Sequence, residues 1–249
     1  YVGLETAATL RTRGKEVTIV EKEPRLLARV AAQPVSDFYL AQHRAHGVEV
    51  LLDASVAALA GSGRVEGVLL QDGRMLAADL VVVGIGLVPS TAPLGLDPLD
   101  VDEHCRTALP GIYAVGDCAR HASRYAGGAR IRIESVQNAV DMAKAAAAHI
   151  VHGDDAPPYD SCPWFWSNQY DLRLQTVGHA LGHDQTVVRG RPEAGKWSLV
   201  YLRGGSVIAL DCINNPRDYV QGKALIERAA RITPALLSDP STPLRELAE

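Results

Sequence analysis

The first twenty-one residues, YVGLETAATLRTRGKEVTIVE, constrain the fold more than any other stretch. Leu4, Ala7, Ala8 and Leu10 recur at the spacing of a helix face, and Gly14 supplies a C-terminal stop. Val17, Ile19 and Val20 then make a short strand that ends on the acid Glu21. A helix opened by glycine and followed by a strand closed by Asp or Glu is the second half of a βαβ dinucleotide unit. In such a unit the helix N-terminus meets a pyrophosphate and the acid meets a ribose. The unit normally begins with a strand and the fingerprint GxGxxG. Here only the last glycine, Gly3, the helix, the second strand and Glu21 are present, so the chain reads as a fragment cut within the fingerprint.

The punctuation continues. Pro34 starts a second helix through Phe38 and Leu40, Gly47 closes it, and Val48 to Leu52 extends again. RVEGVLLQDGRMLAADLVVVGIG reads as a hairpin around Asp72-Gly73 followed by a buried strand that ends at Gly84. After Pro89, Pro93 and Pro98 a second unit is expected: a strand from Ile112 to Val115, a glycine-rich loop near Gly127, and an alanine-rich helix from Glu134 to Val151. Pro157-Pro158 makes a linker to a small α+β domain. Its strands alternate in LRLQTVG, QTVVRG and KWSLVYLRGGSVIALDCI, with Trp197, Leu199 and Tyr201 on one face, and Pro216 starts its helix. The fold class is therefore α/β with an α+β C-terminal domain.

Composition narrows the function classes. A chain of 249 residues with 47% apolar content can bury a sizeable core, while a net charge of −4 without a basic arm excludes nucleic acid as the main partner. The apolar run from Leu80 is too short to span a membrane. Cys105, Cys118, Cys162 and Cys212 lie far apart without a CxxC, which fits a reducing, cytoplasmic setting and indicates neither a disulfide framework nor a zinc site. Cys118 and His121 have CxxH spacing, but two ligands without a second pair make no metal site. His43 and His46 read as surface residues of the second helix.

Five stretches in order, VGLETAATL with Glu21, ADLVVVGIGLVPS, VDEHCRT with GIYAVGDCARH, RIESVQNA, and PWFWSNQYDLRLQTVG, resemble the FAD-dependent, NADH-linked ferredoxin reductases. These serve bacterial monooxygenases and aromatic-ring dioxygenases, and are related to rubredoxin reductases and apoptosis-inducing factor. The resemblance implies a Rossmann-like NAD-binding domain inserted in a FAD-binding domain, followed by a reductase C-terminal domain. On this chain it implies an NAD-binding domain over 1–88 lacking its first strand, the C-terminal segment of the FAD domain over 89–156, and the reductase C-terminal domain over 157–249. It implies FAD and NAD as cofactors, electron transfer to a [2Fe-2S] ferredoxin or a rubredoxin, and a fragment that does not sustain this activity alone. The stretch GLDPLDVDEHCRT is shorter than its family counterpart and implies a trimmed hairpin.

The residues carry these roles unequally. Glu21 suits the two ribose hydroxyls and repels a 2′-phosphate, which favours NADH, although Lys22 and Arg25 keep NADPH open and the acid alone reads equally as a solvated strand end. Glu5 alone is a dipole-complementing surface acid; the resemblance places it beside the nicotinamide carboxamide as the catalytic orienting residue. Gly84, Gly86 and Pro89 form a GIGxxP turn that the resemblance puts along bound NADH. Asp117, at the end of YAVGD, either caps a turn or, by resemblance, accepts a hydrogen bond from a ribityl hydroxyl of FAD, with Thr107 and Gly116 in the same motif. Glu134, Ser135, Val136 and Gln137 open a helix whose N-terminal dipole, by the resemblance, would face the pyrimidine end of the flavin. Trp164 and Trp166 are core aromatics or, by resemblance, lie near the flavin edge and the ferredoxin-docking face, with Asn168 in place of the family's common aspartate. Met142 stands where the family often has glutamine. A non-catalytic NAD- or flavin-binding module is the alternative reading.

Overall fold

The computed structural model describes residues 1–95 and 98–247. It divides into two compact units, Tyr1–Gly86 with Ser167–Arg173, and Leu87–Trp166 with Leu174–Glu249.

In the first unit, α1 (Val2–Thr12) buries Leu4, Ala7 and Ala8, the expected stripe, and Gly14 follows it at φ +74°. β1 (Thr18–Val20) and β2 (Glu49–Leu51) pair in parallel with Ile19 opposite Val50. Between them runs α2 (Gln33–Ala45), started by Pro34 in its first turn, and Gly47 leaves it at φ +78°. An antiparallel sheet follows, β3 (Val56–Ala60), β4 (Gly67–Leu70) and β5 (Met75–Ala77), its second turn made by Asp72-Gly73 with Gly73 at φ +90°. β3 has no counterpart in the sequence reading.

Two expectations fail here. Leu80 to Gly84 is not a buried strand: the run has no assigned strand, and Val83 is 67% and Ile85 83% exposed. An extended apolar segment needs a neighbouring strand for its N–H and C=O groups, and among the described residues of the first unit the parallel pairing stops at β1 and β2. His43 is not a surface residue but fully buried, with Nε2 2.9 Å from Gln169 Oε1 and Nδ1 3.0 Å from the Tyr170 hydroxyl. Tyr170 sits at φ +57°, and His46 stacks on its ring at 3.6 Å.

In the second unit, Ile112 to Val115 is not a strand either. The chain folds back on itself there, with Thr107 N–H on Ile112 O, Ala114 N–H on Cys105 O and one bridge between Arg106 and Tyr113. Gly116 at φ +75° then turns it into a 3-10 turn over Gly116–Cys118, so no run is left to extend. A small hairpin, β6 (His121–Ala122) and β7 (Arg130–Ile131), leads to α3 (Val136–His152), which buries Asn138, Met142, Ala146 and His149. Leu96 and Asp97, part of the shortened GLDPLDVDEHCRT stretch, lie outside the described residues.

The C-terminal strands are β8 (Trp164–Gln169), β9 (Leu172–Gly178), β10 (Gln185–Arg191), β11 (Lys196–Arg203) and β12 (Ser206–Ile213), in the sheet order β10-β11-β12-β9-β8. Trp197 through Leu202 are all buried, so β11 is covered on both faces rather than on the one face its alternation suggests. α4 (Pro216–Glu227) packs closely: a Cβ at Gly222 would lie 2.7 Å from a Leu210 methyl. At its start, buried Arg189 reaches Asp218 at 2.9 Å and also donates to the carbonyls of Leu237, Asp239 and Thr242, which fastens α5 (Pro234–Ser238) and the tail to β10.

Candidate functional site

The residues singled out by sequence fall into two groups, one in each unit. In the first unit, Glu5 N–H donates to Tyr1 O at 2.9 Å in the first turn of α1. Gly84 lies directly against this end, where a Cβ would stand 3.1 Å from Gly3 N. The close approach is therefore required at Gly84 and not at Gly3, whose own Cβ would meet nothing within 4 Å. Glu5, Arg29 and Glu21 all lie near Tyr1, so these three charges gather at the same helix end. Glu21 closes β1 as read from sequence; its N–H donates to Leu51 O, and its carboxylate accepts Glu23 N–H at 3.1 Å.

The two cations near Glu21 differ from their sequence reading. Arg25 is consumed by the fold: it donates to Ala31 O at 2.7 Å, Ser36 Oγ at 2.6 Å and Ala28 O at 2.8 Å, shaping the loop before α2. Lys22 is an outward surface residue, 3.6 Å from Glu23. Sequence reasoning missed Arg29. Its guanidinium is exposed and makes no hydrogen bond or ion pair among the described residues. It stands beside the GIG turn, where a Cβ at Gly86, at φ +102°, would lie 3.5 Å from Arg29 Nη2. Arginine eight positions beyond the strand-end acid was the available signal, but the fold was needed to tell it from Arg25. Pro89 belongs to the second unit, where its carbonyl accepts Thr91 N–H at 2.9 Å.

The second group centres on the 3-10 turn. A Cβ at Gly116 would stand 3.1 Å from Ala139 Cβ, so glycine meets both the positive φ and the packing of this turn on the first turn of α3. Asp117 is exposed, and its carboxylate has no hydrogen bond or ion pair among the described residues. It does not act as a turn cap. Its carbonyl accepts from Arg132 Nη1 at 3.2 Å, and Arg132 Nη2 stands 2.8 Å from Glu134 Oε1. Ser135 is the N-cap of α3, its Oγ accepting Asn138 N–H at 3.1 Å. Val136 and Gln137 thus offer the remaining first-turn N–H groups, and Gln137's side chain is tied to Asp141 at 2.8 Å.

Other expected positions separate plainly. Thr107 staples its own turn, its hydroxyl on Ile112 O at 3.0 Å. Trp164 packs on the C-terminal core and against Tyr219, whereas Trp166 is 43% exposed. Asn168 lines a shallow crevice of about 230 Å³ with Ala8, Thr12 and Tyr170. Cys118 donates to Val115 O, His121 is buried, and no group of three metal-ligating side chains is present among the described residues.

A family profile described as pyridine nucleotide-disulphide oxidoreductase matches residues 1–143, more than half of the chain. The chain belongs to this family. A second profile, reductase C-terminal, matches residues 164–248 of this chain. It is 53% identical to the 5,5'-dehydrodivanillate O-demethylase ferredoxin reductase subunit of Sphingobium sp., an alignment covering 99% of this chain and 61% of the relative. Among solved structures, a ferredoxin reductase of Rhodopseudomonas palustris superposes with a TM-score of 0.93 at 39% identity, covering 100% of this chain and 63% of the other. A covalent putidaredoxin reductase-putidaredoxin complex gives 0.93 at 39% identity, with 99% and 61% covered. The chain thus spans about three fifths of the length of the relatives it matches. No helix among the described residues is long and apolar enough to cross a membrane.

Proposed function

We propose that this chain belongs to a cytoplasmic flavoprotein reductase that takes electrons from NADH and delivers them through FAD to a ferredoxin-type iron–sulfur protein of an oxygenase system. The observation that carries the reading is the Asp117 carboxylate, left free on a turn packed against the uncapped first-turn N–H groups of α3. A free acid suits a hydroxyl donor, and a helix N-terminus suits an electron-rich ring edge. The residues of the second unit therefore fit a flavin. Those of the first unit fit a dinucleotide: the first turn of α1 closely approached by Gly84, a glycine turn that admits a flat ligand, Glu21 for ribose hydroxyls and Arg29 for phosphate charge. Arg25 is consumed internally, so one of the two cations that follow Glu21 in sequence is withdrawn from a 2′-phosphate, which supports NADH.

Bound flavin would supply the conversion of a hydride into single electrons. The chain's own residues do the rest. Glu5 orients the nicotinamide amide, Gly84 and Gly86 let backbone approach it, Thr107 and Gly116 shape the turn that presents Asp117, and Trp166 leaves an exposed aromatic edge for the protein partner. The domain assignment over 1–88, 89–156 and 157–249 is supported by the unit break after Gly86 and by the start of the C-terminal profile at 164.

The test uses the full-length protein. It should purify yellow, bleach with NADH, and reduce cytochrome through an added [2Fe-2S] ferredoxin in preference to a rubredoxin. Asp117→Ala should lose a hydrogen bond worth about 1.5 to 3 kcal/mol, roughly ten- to a hundredfold in FAD affinity. Flavin that NADH does not bleach would assign a binding role without turnover, and unchanged FAD affinity in the variant would remove Asp117 from the site.

A further inference from the structure

Asp117 and the start of α3 are useful to one ligand only if they stand at a fixed separation. Three contacts hold the lead-in to α3. Asn138, 4% exposed, donates through Nδ2 to Ile133 O at 2.9 Å, and Ser135 Oγ accepts Asn138 N–H at 3.1 Å. Both contacts tie the lead-in to its own helix. The third is the Arg132 fork, which reaches back fifteen residues to Asp117 O at 3.2 Å while its other nitrogen holds Glu134 at 2.8 Å. Of the three, only this one joins the lead-in to the turn that carries Asp117.

Glu134 makes the fork matter electrically. It directly precedes the N-cap Ser135 of a seventeen-residue helix, and a carboxylate there is drawn to the free first-turn N–H groups and the positive end of the dipole. Among the described residues the Glu134 side chain makes no other hydrogen bond or ion pair. A carboxylate that swung onto Val136 and Gln137 would cancel the positive field that the proposed flavin needs.

We propose that Arg132 is a positioning residue for the flavin: it fixes the turn at Asp117 against α3 and holds the Glu134 carboxylate off the helix N-terminus. The inference rests on the flavin reading above. It differs from a direct ligand contact, because Arg132's two guanidinium nitrogens named here are already engaged by protein oxygens.

The experiment uses the full-length flavoprotein and four variants: Arg132→Ala, Arg132→Gln, Glu134→Ala and the double variant Arg132→Ala with Glu134→Ala. The readouts are FAD dissociation followed by fluorescence, visible circular dichroism of the bound flavin, its midpoint potential, and the KM for ferredoxin. Arg132→Ala should weaken FAD roughly five- to thirtyfold, alter the flavin dichroism and lower the midpoint potential, since a freed Glu134 disfavours the electron-rich reduced ring. Arg132→Gln, which keeps donors without the charge, should do less on affinity and nearly as much on potential. Glu134→Ala added to Arg132→Ala should restore most of the potential while leaving affinity reduced, a rescue that a merely structural role would not produce. Unchanged affinity, dichroism and potential in Arg132→Ala, with only the KM for ferredoxin raised, would overturn the proposal and make the residue a partner contact. A double variant no better than Arg132→Ala would overturn the part assigned to Glu134. Failure of the flavin reading itself shows separately, as an unmodified protein without FAD or an Asp117→Ala variant that keeps it.

Discussion

Asp211 offers a quantitative test of the C-terminal fold. It lies on β12, opposite Leu199 of β11 and Thr176 of β9, and is 4% exposed. Its named partner is the Tyr201 hydroxyl, which donates to Oδ2 at 2.5 Å. Burial pushes the carboxyl up from 3.8 to about 7, with the tyrosine hydrogen bond pulling more weakly the other way. Because the folded value is the higher one, the folded chain keeps a proton that the unfolded chain has released anywhere between about 4 and 7. The stabilisation is complete below the unfolded value and is lost as pH rises through the folded one. Over that window the loss corresponds to about 4 kcal/mol.

Asp211→Asn keeps the acceptor for Tyr201 and removes the titration. Urea unfolding of wild type and variant should be followed between pH 4.5 and 8, with the quantity of interest being the difference between them. Burial also depresses His43, His121 and His179, which makes stability rise with pH near their ordinary range, but those groups are common to both proteins and cancel. The variant should gain on wild type by several kcal/mol as pH rises, approaching the 4 kcal/mol of the full window. A difference that stays flat within about 0.5 kcal/mol would refute the reasoning and mean that the carboxylate is ionised and solvated within the fold.

Two further outcomes are expected. Arg189→Met leaves the buried Asp218 carboxylate with Ser198 and Asn215 but no counter-charge, and frees three tail carbonyls; a loss of about 3 to 5 kcal/mol should appear in thermal melting, and a loss below about 1 kcal/mol would refute the clamp. Glu21→Ala should lower kcat/KM for NADH roughly tenfold or more with little change for NADPH. Comparable kcat/KM for the two cofactors before mutation would remove the ribose argument.

What could be read from sequence was the part set by local rules. The spacing of Leu4, Ala7 and Ala8, the stops at Gly14 and Gly47 and the turn at Asp72-Gly73 each act within a few residues, and each gave its element. The failures share a different cause. LVVVGIG is apolar enough for a buried strand, yet a strand exists only with a neighbour, and that is a property of the sheet. Ile112 to Val115 looks extended, but Cys105 and Thr107 capture its backbone in a tight fold-back. His43 sat on a helix with polar neighbours, and the glutamine that buries it lies 126 residues away. Arg25, Arg29 and Arg132 were indistinguishable as letters, since only the oxygens around each guanidinium tell a scaffold cation from an available one.

That distinction separates structural from functional polar groups throughout the chain. Asp218 and Arg189 have their hydrogen-bonding capacity taken up by the protein, as does Arg25, and removing any of them should be felt first as lost stability. Asp117 and Arg29 are exposed, and their charged ends make no hydrogen bond or ion pair among the described residues, which leaves them open to the ligands proposed above. Arg132 stands between the two kinds. Its contacts are internal, but one of them holds the backbone of Asp117, whose carboxylate is left free, so its substitution should leave unfolding nearly unchanged while altering the flavin. Measuring both on one variant distinguishes a residue that builds the site from one that merely builds the fold.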